Sequence, residues 1–242
     1  MNMIEPDLME IWVYLSATPL LGLTLTLVAY SLAYRLYQRS GGRPLLNPVV
    51  TSVALLIAVL MATGTRYETY FEGGQFVHFL LGPATVALAV PLYQQWARLR
   101  RIWWPLLAGL LAGSVTGALS ALLIARGLGA SLEGQLSLAP KSVTAPVAMG
   151  ISEQIGGIPS LTAVLVVSTG ILGAVAGTRL LSLIGIRDDS VKGVAMGVAA
   201  HGIGTARAFQ VSQQMGAFSG LAMALSAAIT ALILPPLLSL FG

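Results

Sequence analysis

Residues 102–125 read IWWPLLAGLLAGSVTGALSALLIA, and this stretch without a charged side chain decides the fold class. About 20 helical residues cross a hydrocarbon core of ~30 Å. Three other uncharged, mostly apolar intervals of similar length run from Glu10 to Arg35, from Arg43 to Arg66 and from Glu153 to Arg179. None has the polar face at helical spacing that a soluble helix needs. The sequence therefore predicts an integral membrane protein built of α-helices.

Composition supports this prediction and argues against several functions. Hydrophobic residues make up 56% of the 242-residue chain and charged residues 9%, against about 25% charged in soluble domains. The net charge of +4 comes from arginine-rich loops, so nucleic acid is not an expected partner. The chain has no cysteine and two histidines, and it contains no Ser-His-Asp arrangement or Walker loop. We expect no enzyme activity, no cofactor and no metal site.

The expected architecture is an all-α polytopic membrane protein, a single transmembrane domain over residues 1–242 with about 7 or 8 membrane segments. Some of these segments are expected to be broken or re-entrant, because residues 76–97, 134–154 and 190–212 mix apolar residues with Pro, Gly, hydroxyls or charge. The five long helices are predicted at Ile11–Tyr37, Leu46–Thr63, Trp103–Ala125, Ile158–Ile184 and Ala217–Leu240.

Internal repeats are also predicted. GPATVA at 82–87 resembles APKSVT at 139–144, and the Gly113/Gly117 pair matches the Gly173/Gly177 pair in the following helices. Both pairs have the GxxxG spacing that lets helices approach closely in lipid. An irregular segment followed by an apolar helix thus recurs at about 76–126, 134–184 and 190–240, an organisation common among secondary transporters.

Orientation follows from the arginine clusters at 35–43 and 98–101, which should lie on the cytoplasmic side. The acidic N-terminus is then outside, and its helix is retained because a signal peptide would begin with basic residues. Beyond Arg126 two topologies stay open: either residues 137–153 dip in and return, or every segment crosses. The expected location is the inner (cytoplasmic) membrane of the cell.

The first candidate site is LAPKSVTAP at 138–146, where two prolines indicate a broken helix. Lys141, Ser142 and Thr144 are placed in its opening turn, where free N–H groups and the positive end of the helix dipole favour an anion. The alternative for Lys141 is a side chain that reaches the membrane interface. Glu153 lies too far along the helix to pair with Lys141, and it either caps the segment or carries a proton.

The second candidate site is AHGIGTAR at 200–207. Gly202 and Gly204 expose backbone N–H groups, and Arg207 offers a two-pronged donor that matches a carboxylate. Thr205 is placed to bind a hydroxyl next to that carboxylate, and His201 is a titratable group. The alternative is that the glycines only allow close helix packing while His201 bonds a carbonyl.

These motifs resemble the LrgB/CidB family of bacterial membrane proteins. The resemblance runs in order through most of the chain after about residue 45, and it is carried by Asn47-Pro48, FLLGPATVALAVPLY at 79–93, PKSVTAPVA at 140–148, GGIP at 156–159 and AHGIGTAR at 200–207. Members are described as antiholin-like or holin-like proteins that modulate murein hydrolase export and autolysis beside a smaller LrgA/CidA-type partner. The plastid glycolate/glycerate translocator is similar to an LrgA–LrgB fusion, and only its LrgB half is matched here.

The resemblance and the two candidate sites together lead to one main interpretation and one alternative. The main interpretation is a secondary transporter of small monocarboxylates such as glycolate, glycerate, lactate or pyruvate. Lys141, Ser142 and Thr144 would hold the anion from one broken helix. From the other, the anion would be held by Gly202, Gly204, Thr205 and Arg207. His201 or Glu153 would couple a proton, and Thr85, which matches Ser142 in the repeat, would line the same cavity. The alternative is the antiholin-like role with an LrgA-type partner. A homodimer in the lipid bilayer is expected in either case.

Overall fold

The computed structural model describes residues 19–80, 83, 86, 87 and 89–239, and it divides the chain into two compact units, Met1–Ala87 and Leu88–Gly242. In the described residues every regular element is helical. Unit 1 contains α1 (Pro19–Arg39), a 3-10 helix (Pro44–Leu46), α2 (Pro48–Thr63) and α3 (Tyr67–Phe79). Unit 2 contains α4 (Ala89–Gln94), α5 (Trp96–Gly127), α6 (Leu132–Leu138), α7 (Ala145–Ile155), α8 (Pro159–Leu183), α9 (Asp189–Val211) and α10 (Gln213–Ser239).

The all-helical membrane fold is confirmed. Among the described residues, α1, α5, α8 and α10 are the four helices long and apolar enough to cross a bilayer. At 16 residues α2 is apolar but shorter. The number of crossings, the internal repeats and the single-domain organisation stay predictions.

In unit 1, α1 packs against α2 and α3. Gly22 lies directly against the Tyr70 carbonyl, where a Cβ would collide, and the hydroxyls of Thr26 and Tyr70 are 2.8 Å apart. Asn47 caps α2 by accepting a hydrogen bond from Val49 N at 2.9 Å. Residues 67–79 form α3, a helix that the sequence analysis did not predict.

Unit 2 is built around α9, which contacts α5, α8 and α10. Small residues allow these contacts. A Cβ at Gly113 of α5 would lie 3.0 Å from Val198 Cγ1, and Gly173 and Gly177 of α8 lie against Ala200 and Met196. The GxxxG pair of α8 therefore does provide the close helix approach that its spacing predicts. In the GxxxG pair of α5, Gly113 provides the close approach to α9.

Most predicted helix ends agree with the observed ones within a few residues, but the start of α5 differs. α5 begins at Trp96 and not at Trp103, because the arginines at 98–101 are helical. Residues 190–212, expected to be a broken segment, form two helical stretches, 189–200 and 202–211, on either side of a break at His201. The predicted helix Ile11–Tyr37 is seen from Pro19 onward, since residues 11–18 lie outside the described residues.

Candidate functional site

The first candidate segment is a turn between two short helices. α6 ends at Leu138, and residues 139–144, here called the 139–144 turn, are closed by hydrogen bonds from Lys141 N to Leu138 O (3.1 Å) and from Val143 N to Pro140 O (3.2 Å). Thr144 is extended and precedes α7. The break is present as predicted, but Lys141, Ser142 and Thr144 come before the new helix and do not form its opening turn. Pro146 occupies that first turn, because proline has no N–H to leave unpaired there.

The Lys141 side chain bonds a residue of its own turn. Its Nζ donates to Ser142 Oγ at 3.1 Å, and the residue is half-buried. Among the described residues no carboxylate forms an ion pair with Lys141.

The second candidate segment contains a sharp break in α9. His201 has φ 40° and ψ −133°, a conformation that non-glycine residues rarely adopt, and it separates helical residues 189–200 from 202–211. Thr205 Oγ1 donates to the His201 carbonyl at 2.8 Å and lies 2.9 Å from Ser219 Oγ. A Cβ at Gly204 would come within 2.6 Å of Ala200 Cβ, so glycine at this position is needed for the break.

The His201 ring is held against α8. Its Nε2 lies 2.9 Å from the Val166 carbonyl oxygen, and the ring occupies the space beside Gly170, where a Cβ would lie 2.7 Å from Cε1. For His201 and Gly204 the structure thus shows the alternative: a histidine that bonds a carbonyl and a glycine that permits close packing. A ligand role for either residue stays a prediction.

Arg207 is buried in the second half of α9, where its Nη1 donates to Gln210 Oε1 at 3.2 Å. Gly202 is half-buried, and a Cβ there would lie 3.8 Å from Met223 Sδ. Glu153 is exposed on α7. Thr85 lies outside the described residues. The described residues contain no group of three or more His, Cys, Asp or Glu that could hold a metal ion.

A small cavity lies where the 139–144 turn meets α5, α9 and α10. Its water-accessible volume is ≈ 10 Å³, and three hydroxyl side chains line it together with apolar ones: Ser114, Ser142 and Thr230, with Ala118, Ala139, Pro140, Val143 and Val198. The sequence analysis missed Ser114 and Thr230. A hydroxyl on an apolar helix usually bonds a carbonyl of its own helix, so neither residue stood out as a binding residue. The one signal in the sequence was the position of Ser114 next to Gly113, a glycine of the GxxxG pair.

A separate polar cluster fixes the start of α9. Asp188 Oδ1 accepts hydrogen bonds from the N–H and hydroxyl of Ser190, and Asp188 Oδ2 forms an ion pair with Arg98 of α5. The Ser190 hydroxyl, helped by backbone N–H groups and by Arg98, holds the pKa of the Asp188 carboxyl below its usual value, although partial burial acts in the opposite direction. This cluster ties α5 to the start of α9.

Comparison with known proteins gives a consistent result. Residues 26–240 match the model of the LrgB-like family. Uncharacterized protein YxaC of Bacillus subtilis (strain 168) is 38% identical over 90% of this chain and 94% of its own length. Uncharacterized protein YwbG of the same strain is 37% identical over 91% of this chain and 97% of its own length. Antiholin-like protein LrgB of Bacillus cereus (strain B4264) is 29% identical over 93% of this chain and 98% of its own length. No solved structure matches.

Proposed function

The chain belongs to the LrgB-like family, and from that premise we propose that it is an antiholin-like protein of a bacterial membrane. The observation that carries this proposal is the match to the Bacillus cereus antiholin-like protein LrgB, which covers 93% of this chain and 98% of that protein. A similarity of that extent includes both units and all four long apolar helices.

In this role the protein would modulate murein hydrolase export and autolysis from the inner membrane, beside an LrgA/CidA-type partner. The broad apolar exposure of the long helices suits residence in lipid, with Leu123, Leu172 and Leu232 at 67%, 69% and 76% exposed. We expect no enzyme activity of its own. The acidic N-terminus would lie outside, and a homodimer is the expected assembly.

Expression in a Bacillus strain that lacks its own LrgB-like proteins tests this role. The autolysis rate after detergent treatment and the murein hydrolase activity released to the medium are measured with and without an LrgA-type partner. We expect the chain to lower both. The Bacillus cereus relative serves as the positive control, and unchanged autolysis at an equal membrane level of the two proteins would contradict the proposal.

A second candidate function is a carrier of small monocarboxylates such as glycolate, glycerate, lactate or pyruvate. One observation favours it: the half-buried Lys141, which has no carboxylate ion pair among the described residues, bonds Ser142 at the edge of a hydroxyl-lined cavity. Val198, three residues before the break in α9, lines the same cavity. Ionisable groups and broken helices inside a membrane domain are typical of transport sites. A holin-like assembly needs neither. His201 or Glu153 would couple a proton.

Uptake into sealed liposomes tests the carrier. Labelled glycolate is supplied to vesicles that contain the purified chain, with and without a pH gradient, and beside Lys141→Ala and Arg207→Ala. We expect saturable uptake that excess lactate competes away and that both variants lose. Lys192→Ala is the matched control, because Lys192 is the other lysine of the chain and bonds Ser182 at an exposed site. Equal leakage of unrelated solutes, or no uptake, would exclude the carrier.

A further inference from the structure

We propose that the cavity between α5, the 139–144 turn, α9 and α10 binds one small monovalent anion. Ser114, Ser142 and Thr230 would donate hydrogen bonds to it, and Lys141 would supply the balancing charge. The inference deepens the carrier candidate, on which it rests only for the choice of glycolate as a probe. It adds two binding residues, Ser114 and Thr230, which lie on the long helices α5 and α10 outside both sequence motifs.

Ser114 supplies the first argument. Its Oγ is enclosed and has no hydrogen-bond partner among the described residues, although it lines the cavity. A buried hydroxyl without a partner costs free energy, and an acceptor placed in the cavity would remove that cost. Thr230 lies on the opposite helix, is also buried and lines the same space. Besides the 139–144 turn, α5 and α10 therefore each contribute a hydroxyl group to the same cavity.

Charge supplies the second argument. Ser142 Oγ accepts a hydrogen bond from Lys141 Nζ at 3.1 Å, so the hydroxyl proton of Ser142 is left to donate to a further acceptor. No carboxylate of the described residues lies within 4.0 Å of the Lys141 ammonium to balance its charge. In apolar surroundings an unbalanced ammonium favours an anion nearby and disfavours a cation.

Size restricts the ligand. A water-accessible volume of ≈ 10 Å³ is room for about one water molecule, so the cavity fits a halide ion or one oxygen of a carboxylate. A single lysine does not balance the charge of a divalent anion, so sulfate and dicarboxylates are not expected to bind. The side chains of Ala118, Val143 and Val198 complete the lining with apolar surface.

The test is anion binding to the purified full chain in detergent, measured from the shift of the thermal unfolding midpoint in titrations with chloride, formate and glycolate. Sulfate at matched ionic strength serves as the divalent comparison. The variants are Ser114→Ala and Thr230→Val, which remove one hydroxyl each with little change of shape. Ser120→Ala is the matched control, since Ser120 is an exposed serine of the same helix.

We expect saturable binding of at least one small anion, no saturable response to sulfate, and affinity roughly tenfold to a hundredfold weaker in Ser114→Ala and Thr230→Val than in Ser120→Ala. Chloride binding alone would identify a halide site, and formate or glycolate binding would identify a carboxylate site. Either result supports the proposal. No saturable binding, or equal affinity in all variants, overturns it. Anion binding without uptake into liposomes would exclude the carrier function but still support the anion site. Failure of the carrier candidate is therefore distinguishable from failure of the anion-site proposal.

Discussion

At the residue scale, the backbone of His201 is the most unusual feature of unit 2. A positive φ at a non-glycine residue costs of order 1–3 kcal/mol and persists only where its surroundings enforce it. Here Thr205 satisfies the His201 carbonyl, Gly204 makes room for the preceding turn, and Gly170 makes room for the ring. Three separate contacts thus maintain one strained residue.

Gly170→Ala tests the space for the ring. The new Cβ would lie 2.7 Å from His201 Cε1, so we expect the free energy of unfolding to fall by about 1–3 kcal/mol. Gly109→Ala on α5 is the matched control, because nothing lies within 4 Å of its Cβ position and alanine is the better helix former. Thermal unfolding in detergent measures both. Equal midpoints for the two variants would contradict the described ring position.

Thr205→Val tests the hydrogen bond to the strained carbonyl. The substitution removes a hydroxyl that is 2.8 Å from the His201 carbonyl and 2.9 Å from Ser219 Oγ, and leaves both without this partner. We expect a loss of about 1–3 kcal/mol in stability. Thr169→Val, which removes a hydroxyl bonded only to the Leu165 carbonyl of its own helix, should lose less. The difference between the two unfolding free energies is the decisive quantity.

At the scale of elements, side chains cap the first turns of both α9 and α10. Asp188 accepts hydrogen bonds from Ser190 N at 2.8 Å and from Val191 N at 3.4 Å, which satisfies donors of the first turn. At the other end, Ser212 Oγ donates to Asp189 Oδ2 at 2.6 Å and accepts from Met215 N at 3.1 Å. Ser212 therefore caps the first turn of α10 and bonds Asp189, the first residue of α9.

Asp188→Ala tests the first cap and its pH dependence. We expect stability at pH 7 to fall by about 0.5–2 kcal/mol. The pKa of Asp188 is lower in the folded chain than its ordinary value of 3.8, so its contribution is full above that value and is lost as the pH falls through the folded pKa. The difference between wild type and variant should therefore shrink in strong acid. Glu72→Gln, at an exposed carboxylate of α3, is the matched control.

At the scale of the whole molecule, the features that bear on function are found in one of the two units. The candidate site, the strained residue and the cavity all lie in unit 2, whereas unit 1 holds α1 to α3 and the arginine cluster at 35–43. Topology predictions can be tested in either unit, because the chain contains no cysteine that would react with a thiol probe.

Single cysteines test the orientation. Gln38→Cys, at the end of α1 beside the arginine cluster, is predicted on the cytoplasmic side, and Glu72→Cys of α3 on the outer side. In intact spheroplasts a membrane-impermeant maleimide should label Glu72→Cys at once and Gln38→Cys only after lysis. The opposite pattern would place the N-terminus inside.

Sequence reasoning predicted the class of fold and the positions of most long helices, because charges and prolines mark where apolar helices end. α8, expected at 158–184 and observed at Pro159–Leu183, shows how sharp that signal is. It also found both broken segments. It did not find that the break falls on His201, since two neighbouring glycines accept such a conformation more easily. It missed Ser114 and Thr230, because only the packing of distant helices brings their hydroxyls to one cavity.

The contact between His201 and Val166 determines the tautomer of the imidazole. A carbonyl oxygen can only accept, so the proton of the neutral ring lies on Nε2, and Nδ1 carries the lone pair. Any proton that His201 takes up or releases therefore passes through Nδ1, while Nε2 acts as a fixed anchor to α8. Nitrogen-15 chemical shifts of the ring would distinguish this form from its opposite, and they would do so in a chain with only two histidines to assign.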